Sequence, residues 1–172
     1  MYVALDCPSN FTDEDLLFGK QLGVDHVVVG GWAMPGPGYW EYLDLLRMKK
    51  RIERFGMQLV AIENVPLKFW DQVLTGGPGR DEQLANYSKL VRNMGKAGIP
   101  ILGYHFSPVI DDLVNVWGHW RIGNAGGGRG GAGITSFDYD LVKDIEDAPG
   151  GQPSADEVWD RILYFLERIV PV

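Results

Sequence analysis

The run Gly98-Ile-Pro-Ile-Leu-Gly-Tyr-His-Phe-Ser-Pro108, at the head of IPILGYHFSPVIDDLVNVWGHWR (Ile99–Arg121), decides how the rest of the chain is read. Ile99, Ile101 and Leu102 predict a short apolar strand of the fully buried kind, entered from a helix that Gly98 stops and bounded by proline on both sides. The polar-aromatic pair Tyr104-His105 falls where this strand ends. A long loop carrying Trp117, Trp120 and Arg121 follows. In parallel α/β proteins chemistry gathers at the carboxyl ends of strands, so this is where a site is expected.

Working outward, three further apolar strands are predicted, at Tyr2–Leu5, His26–Val29 and Leu59–Ile62. Their β-branched, non-alternating character suits a sheet covered on both faces. Between them lie helical patterns. Thr12 and Asp15 form a capping box ahead of Leu16, Leu17 and Leu22, with Gly23 as the stop. A second helix runs from about Trp40 to Phe55 with Leu45, Met48, Ile52 and Phe55 as its stripe and Gly56 at its end. A third, from about Asp81 to Ala97, carries Leu84, Tyr87, Val91 and Met94. The last opens at the Ser154–Glu157 capping box and presents Val158, Ile162, Phe165, Leu166 and Ile169. The stretches Gly30–Gly38 and Phe69–Asp81 read as loops.

Strands alternating with helices of this length indicate βα units and a parallel sheet. An open doubly wound sheet announces itself with a phosphate-binding glycine motif after its first strand, and Asp6-Cys7-Pro8-Ser9-Asn10 is not one. The expectation is therefore an α/β fold made of (β/α) units of a TIM barrel, with about four of eight present. A complete barrel typically takes ~250 residues. Residues 1–172 are read as a single partial-barrel domain with a long Gly-rich loop at about 107–153. Ending at Val170-Pro171-Val172 without a glycine stop, the chain reads as a truncated barrel.

Composition narrows the function classes. A net charge of −7 argues against nucleic-acid binding, which needs a basic face. No leader and no apolar run near the ~20 residues of a bilayer span are visible, so a cytoplasmic protein without membrane contact is expected. The single Cys7 excludes an internal disulfide and a Cys-rich zinc site, and reads as a small buried hydrophobe. Six tryptophans, several in loops, suit a lined pocket.

Glu63, ending the third strand, and Tyr104 and His105, ending the fourth, are the candidate site residues on strands. A carboxylate and an imidazole at one barrel mouth could share a divalent metal, act as an acid/base pair, hydrogen-bond a substrate, or merely cap the strands. Two ligands do not make a metal site, and no HExxH, HxH or CxxC spacing occurs. His26, at the opposite end of its strand, reads as structural, and the role of His119 stays open. Trp117, Trp120 and Arg121 combine flat apolar faces with a forked cation suited to a sugar ring bearing a carboxylate; a loop anchor is the alternative. Arg129, among glycines, could bind an anion with neighbouring amides or simply be solvated; the run lacks the Gly-Lys-Ser/Thr ending of a phosphate loop, which excludes nucleotide binding there.

At these residues the chain resembles a known family. RMKKRIERFGMQLVAIENVP (Arg47–Pro66), LANYSKLVRNMGKAGIPILGYHFSPV (Leu84–Val109) and DRILYFLERIVPV (Asp160–Val172) resemble, in order, the mannonate dehydratases of the xylose-isomerase-like TIM-barrel superfamily. The resemblance spans most of this chain and about the first half of a family member. It implies a lyase that removes water from D-mannonate to give 2-keto-3-deoxygluconate in hexuronate breakdown. It also implies a divalent metal, Mn²⁺ or similar, for the complete enzyme. The metal ligands and main acid/base groups lie in the family's second half, so no catalytic or metal residue is assigned here, and Cys7 does not match the family's cysteine. Glu63 matches the acid of a Glu-Ser-Val-Pro motif, with Asn64 in place of the serine. Tyr104 matches a Tyr-Asn-Phe motif in which His105 replaces the asparagine. Trp120 and Arg121 stand for an aromatic-Arg pair in the next loop.

The leading reading is thus the N-terminal half of a mannonate-dehydratase-like lyase, inactive alone, that binds a small sugar acid through Glu63, Tyr104, His105, Trp120 and Arg121. A sugar isomerase or epimerase of the same superfamily is the enzymatic alternative. The third is a non-catalytic half-barrel that pairs with another copy through its raw edge strands, a homo-oligomer.

Overall fold

The computed structural model describes residues 2–106, 128–131, 140, 143 and 153–172. Trp117, His119, Trp120, Arg121 and most of the Gly-rich stretch lie outside the described residues. The chain forms two compact units, Met1–Phe106 with Asp160–Val172, and Ser107–Trp159.

Four strands, β1 (Ala4–Pro8), β2 (His26–Gly30), β3 (Gln58–Glu63) and β4 (Ile101–Gly103), form one sheet in the order β1-β2-β3-β4. All three pairings are parallel. An order that follows the chain without reversal is that of a barrel arc; a doubly wound sheet would turn back at a switch point. The structure thus has the partial TIM-barrel organisation expected. Five helices are described: α1 (Asp13–Gln21), α2 (Tyr42–Arg54), α3 (Asp71–Thr75), α4 (Arg80–Ala97) and α5 (Ala155–Ile169).

The local signals work as the residue chemistry demands. The Thr12 hydroxyl accepts from the Asp15 N–H at 3.2 Å, and the Asp15 carboxylate takes the Thr12 N–H at 2.7 Å, the reciprocal capping box. Ser154 and Glu157 repeat it ahead of α5. Gly98, at φ 70°, closes α4 in the left-handed conformation that leaves other residues strained. From α2, the Lys49 ammonium donates to the carbonyls of Ala97 and Gly98 at 2.9 and 3.0 Å, so one helix completes the C-terminus of the next. Leu45 and Ile52 of α2 and Leu84, Tyr87, Leu90, Met94 and Ala97 of α4 are buried, each of the leucine, isoleucine and methionine side chains contributing about 1.5–3 kcal/mol.

Several expectations shift. The first strand is Ala4–Pro8, later than Tyr2–Leu5, because Ala4 registers with His26 and Pro8 with Gly30. Pro8, short of an N–H, is tolerated at the end of an edge strand. On α4, Leu90 is buried and Val91 only half so, the core stripe running 87, 90, 94, 97. On α1, Leu16 is buried, but Leu17 and Leu22 are exposed, Leu22 by 62%, because α1 flanks the edge strand. Sequence signals missed α3 altogether. Its first N–H groups have no local cap; Gln83, eleven residues on from Gln72, supplies its side-chain oxygen to the Gln72 N–H at 2.9 Å.

The largest correction concerns coverage of the sheet. Cys7, Val29 and Ile62 share one register row, Leu5, Val27 and Leu59 the next row of that face, and of these all but Leu5 are buried. The alternate rows are only partly covered: Asp6 is exposed, Val28 half-buried and Ile101 49% exposed, while Ala61 and Gly30 are buried. Among the described residues the strands are therefore covered more fully on one face than on the other, and β4 is not fully buried. Between Val27 and Val28 the register with β3 slips, Val27 pairing with Leu59 and Val28 with Ala61, so Val60 is an extra residue. Among the described residues no helix is long and apolar enough to cross a membrane.

Two measurements follow. Thr12→Ala should cost about 1 kcal/mol, read by urea unfolding. The Cys7 thiol is pushed up to about 11, first by burial and then by the Asp15 and Asp6 carboxylates. Its alkylation by iodoacetamide at pH 8 should therefore run roughly a hundredfold slower than in the urea-unfolded chain.

Candidate functional site

The carboxyl ends of the four strands line up as one row, Pro8, Gly30, Glu63 and Gly103. Glu63 is the only ionisable member, and it stands between two glycines. A Cβ on Gly103 would come within 3.0 Å of the Glu63 Cβ, so glycine there leaves Glu63 its space. The row belongs to the alternate face, the face of Asp6 and Ile101.

Backbone hydrogen bonds fasten this end of β3 on both sides. The Gly31 N–H donates to the Glu63 carbonyl at 2.6 Å, and the Asn64 N–H donates to the Gly103 carbonyl at 3.0 Å. Gly31 itself admits no side chain: a Cβ would meet the Trp40 ring at 2.7 Å. Asn64 takes φ 63°, and among the described residues no other non-glycine has positive φ. Asparagine is one of the few residues that tolerates this region.

From there Asn64 reaches the second strand end. Its Oδ1 lies 3.1 Å from Nδ1 of His105, two residues beyond β4. The His105 ring is half-buried and meets Trp70 edge-on, with centroids 6.4 Å apart. Burial holds its pKa below the ordinary histidine value. A neutral ring is therefore favoured, able to donate from one nitrogen and accept at the other.

Trp70 anchors this corner. It is fully buried, delivered by a 3₁₀ turn at Leu67–Phe69 that runs into α3. Its ring contacts Tyr87 of α4 and Phe165 of α5, both at 5.6 Å, and Tyr104 and Phe106 at 6.2 and 6.0 Å. Each such aromatic pair adds about 0.5–1.5 kcal/mol beyond area burial. Tyr104 also packs on Phe165 at 5.2 Å while remaining 42% exposed.

The structure thus brings Glu63 and His105 to neighbouring strand ends through Asn64, and ties Tyr104 into the aromatic cluster beside them. No hydrogen bond joins Tyr104 to Glu63 among the described residues. Trp120 and Arg121 lie outside them, so the remainder of the expected binding set is not described. Arg129 is exposed in a 3₁₀ turn. His26 stacks on Tyr2 with ring centroids 4.0 Å apart, far from this end of the sheet in register. Sequence reasoning passed over Asn64 and Trp70. The available signal was an asparagine directly after a strand, where a left-handed turn residue fits.

Among the described residues no three or more His, Cys, Asp or Glu side chains come together to hold a metal. Glu63 and His105 offer one oxygen and one nitrogen donor, short of the three or four protein ligands a zinc-type centre takes. The described donors do not fit a closed metal site. A separate cleft of about 450 Å³, lined by residues including Pro37, Lys68, Phe69, Gln72 and Asn86, includes none of the strand-end residues.

A family model for D-mannonate dehydratase (UxuA) matches residues 14–149. Mannonate dehydratase of Thermotoga maritima is 26% identical over 87% of this chain and 48% of its own length. That of Streptococcus equi subsp. zooepidemicus is 34% identical over 52% of this chain and 24% of its own. In fold, the crystal structure of mannonate dehydratase from Streptococcus suis serotype 2 is similar with a TM-score of 0.80 at 24% identity, over 99% of this chain and 50% of that one. The chain spans about half the length of the curated relatives that it matches along most of its own.

Proposed function

This chain belongs to the D-mannonate dehydratase family, and from that premise we propose that it supplies one wall of a sugar-acid site in a lyase that dehydrates D-mannonate to 2-keto-3-deoxygluconate, in hexuronate breakdown in the cytoplasm. The observation that carries this is the junction of Glu63, Asn64 and His105 at two adjacent strand ends.

The reaction removes the proton beside the substrate carboxylate and expels the neighbouring hydroxyl as water; the resulting enol becomes the 2-keto acid. It needs a base, an acid for the leaving oxygen and positive charge near the developing enediolate. In the family this last part falls to a divalent ion such as Mn²⁺. The described donors of this chain do not hold one, and its ligands belong to the half of the relatives that this chain does not match.

What these residues contribute is binding. The Glu63 carboxylate accepts hydrogen bonds from substrate hydroxyls, and the neutral His105 ring, held through Asn64, adds a polar edge at the neighbouring strand end. Tyr104, braced against Phe165, gives an aromatic edge and a phenol at the rim. Trp120 and Arg121 add a flat face and a fork for the sugar carboxylate.

Two features support a need for further strands. β1 and β4 end the described sheet on either side, and apolar Val3, Leu17, Phe18 and Leu22 are exposed around β1 and α1. Closure of the barrel, by more βα units or by a second copy, would cover them.

The 172-residue chain, supplied with Mn²⁺ and D-mannonate, is expected to form no 2-keto-3-deoxygluconate. Part of a pocket should still bind weakly, with Kd on the order of 1 mM. D-mannonate should shift the NMR signals of His105 and Tyr104, and Glu63→Gln should weaken that response severalfold. Turnover by the isolated chain would overturn its proposed dependence on further strands, and absence of any shift would remove the sugar-acid wall. Interconversion of sugar isomers without a keto acid would favour the isomerase reading. A stable dimer without product would favour assembly.

A further inference from the structure

Gly30 and Glu63 are register partners at the ends of β2 and β3, so glycine keeps the place beside Glu63 clear of a side chain of its own. Trp32, two residues further along, uses that room. A Cβ on Gly30 would lie 3.1 Å from Nε1 of Trp32 and 3.3 Å from its Cδ1, so the pyrrole edge of the indole rests against the strand end. Neighbouring strands run about 4.8 Å apart, which sets the indole N–H roughly one strand spacing from Glu63.

Burial separates Trp32 from the other tryptophans of this region. Trp40 and Trp70 are fully buried, whereas Trp32 is 60% exposed. A large ring left open to solvent beside a carboxylate is not explained by core packing, and such exposure marks a surface that meets something. Both polar groups are also unused. Among the described residues neither the Trp32 N–H nor the Glu63 carboxylate has a hydrogen-bond partner. An indole N–H only donates and a carboxylate only accepts. The one small group that satisfies both at once is a hydroxyl, accepting from Trp32 and donating to Glu63. A methylene satisfies neither, and a second carboxylate would be repelled by the first.

We propose that Trp32 is a substrate-binding residue, its Nε1–H and the Glu63 carboxylate together holding one hydroxyl of a polyol chain. The indole face receives the C–H groups flanking that hydroxyl. This assignment deepens the sugar-acid reading and rests on it. The pair recognises hydroxylation of the chain, and leaves the substrate carboxylate to be held elsewhere.

The test reads the indole ¹H–¹⁵N signal of Trp32 in the labelled 172-residue chain, assigned by its loss in Trp32→Phe. D-mannonate should move this signal with the same midpoint as the Tyr104 signals. Hexanoate, a carboxylate of equal length without hydroxyls, should leave it in place. Gly30→Ala should displace the indole and move its signal in the ligand-free chain. Trp32→Phe keeps an exposed ring and removes the donor, so the fold should persist by circular dichroism while D-mannonate binds about fivefold more weakly. Because one hydroxyl serves both groups, Trp32→Phe combined with Glu63→Gln should lose little more than the worse single variant. A Trp32 signal that ignores D-mannonate while the Tyr104 signals move would overturn the assignment and leave the sugar-acid wall standing. So would an equal response to hexanoate, a Gly30→Ala signal identical to wild type, or losses that multiply in the double variant. If no signal responds to D-mannonate, both readings fall together.

Discussion

Parallel pairing in strict sequence order is the constraint from which the rest of the described structure follows. Each strand must lie beside the one before it, so all four carboxyl ends emerge together and form one rim. At that rim the pairing is tightest around β3, whose last carbonyl and next N–H are both taken, by Gly31 and by Gly103. A glutamate fixed from both flanks has little freedom of backbone, which suits a group meant to meet a ligand in one orientation. The small residues on either side of it, Gly30 and Gly103, keep its neighbourhood clear.

Behind the rim, the aromatic cluster on Trp70 does for the helices what register does for the strands. α4 gives Tyr87 and α5 gives Phe165, while the residues leaving β4 give Tyr104 and Phe106. Position at the rim is thereby coupled to helix packing. The cluster has a cost: the Tyr87 hydroxyl is buried with no hydrogen-bond partner among the described residues, worth about 1–3 kcal/mol. Burial correspondingly drives the Tyr87 phenol far above its ordinary pKa. Packing of the rings outweighs that loss, since each buried ring removes a large apolar area from water.

Much of this was legible in the residues because it is local. Capping boxes at Thr12 and Ser154, glycine stops at Gly23, Gly56 and Gly98, and four apolar strand cores each carry their signal within a few positions. The family resemblance and the parallel order were readable for the same reason. What escaped depends on residues distant in sequence. α3 forms because Gln83 reaches back to cap it, and one turn of DQVLT gives no periodicity to detect. The less covered face of the sheet could not be told from the other, since apolar strands read alike in both settings. Asn64 became significant only once His105, forty-one positions later, was seen beside it.

The slip at Val60 has a further consequence, for which way the rim faces. Side chains alternate along a strand, so the one surplus residue reverses the phase of everything after it. Were Val60 instead paired with Val28, with no slip, Glu63 would share the orientation of Leu59, facing the helices, and its carboxylate would need a partner in an apolar layer. The chemistry at the rim is thus set by a pairing three positions upstream, where a valine looks like filler. Loss of Val60 would leave Ala61, Ile62 and Glu63 opposite their present partners, so it is the pairing of Val60, and not its presence, that decides which way the carboxylate turns.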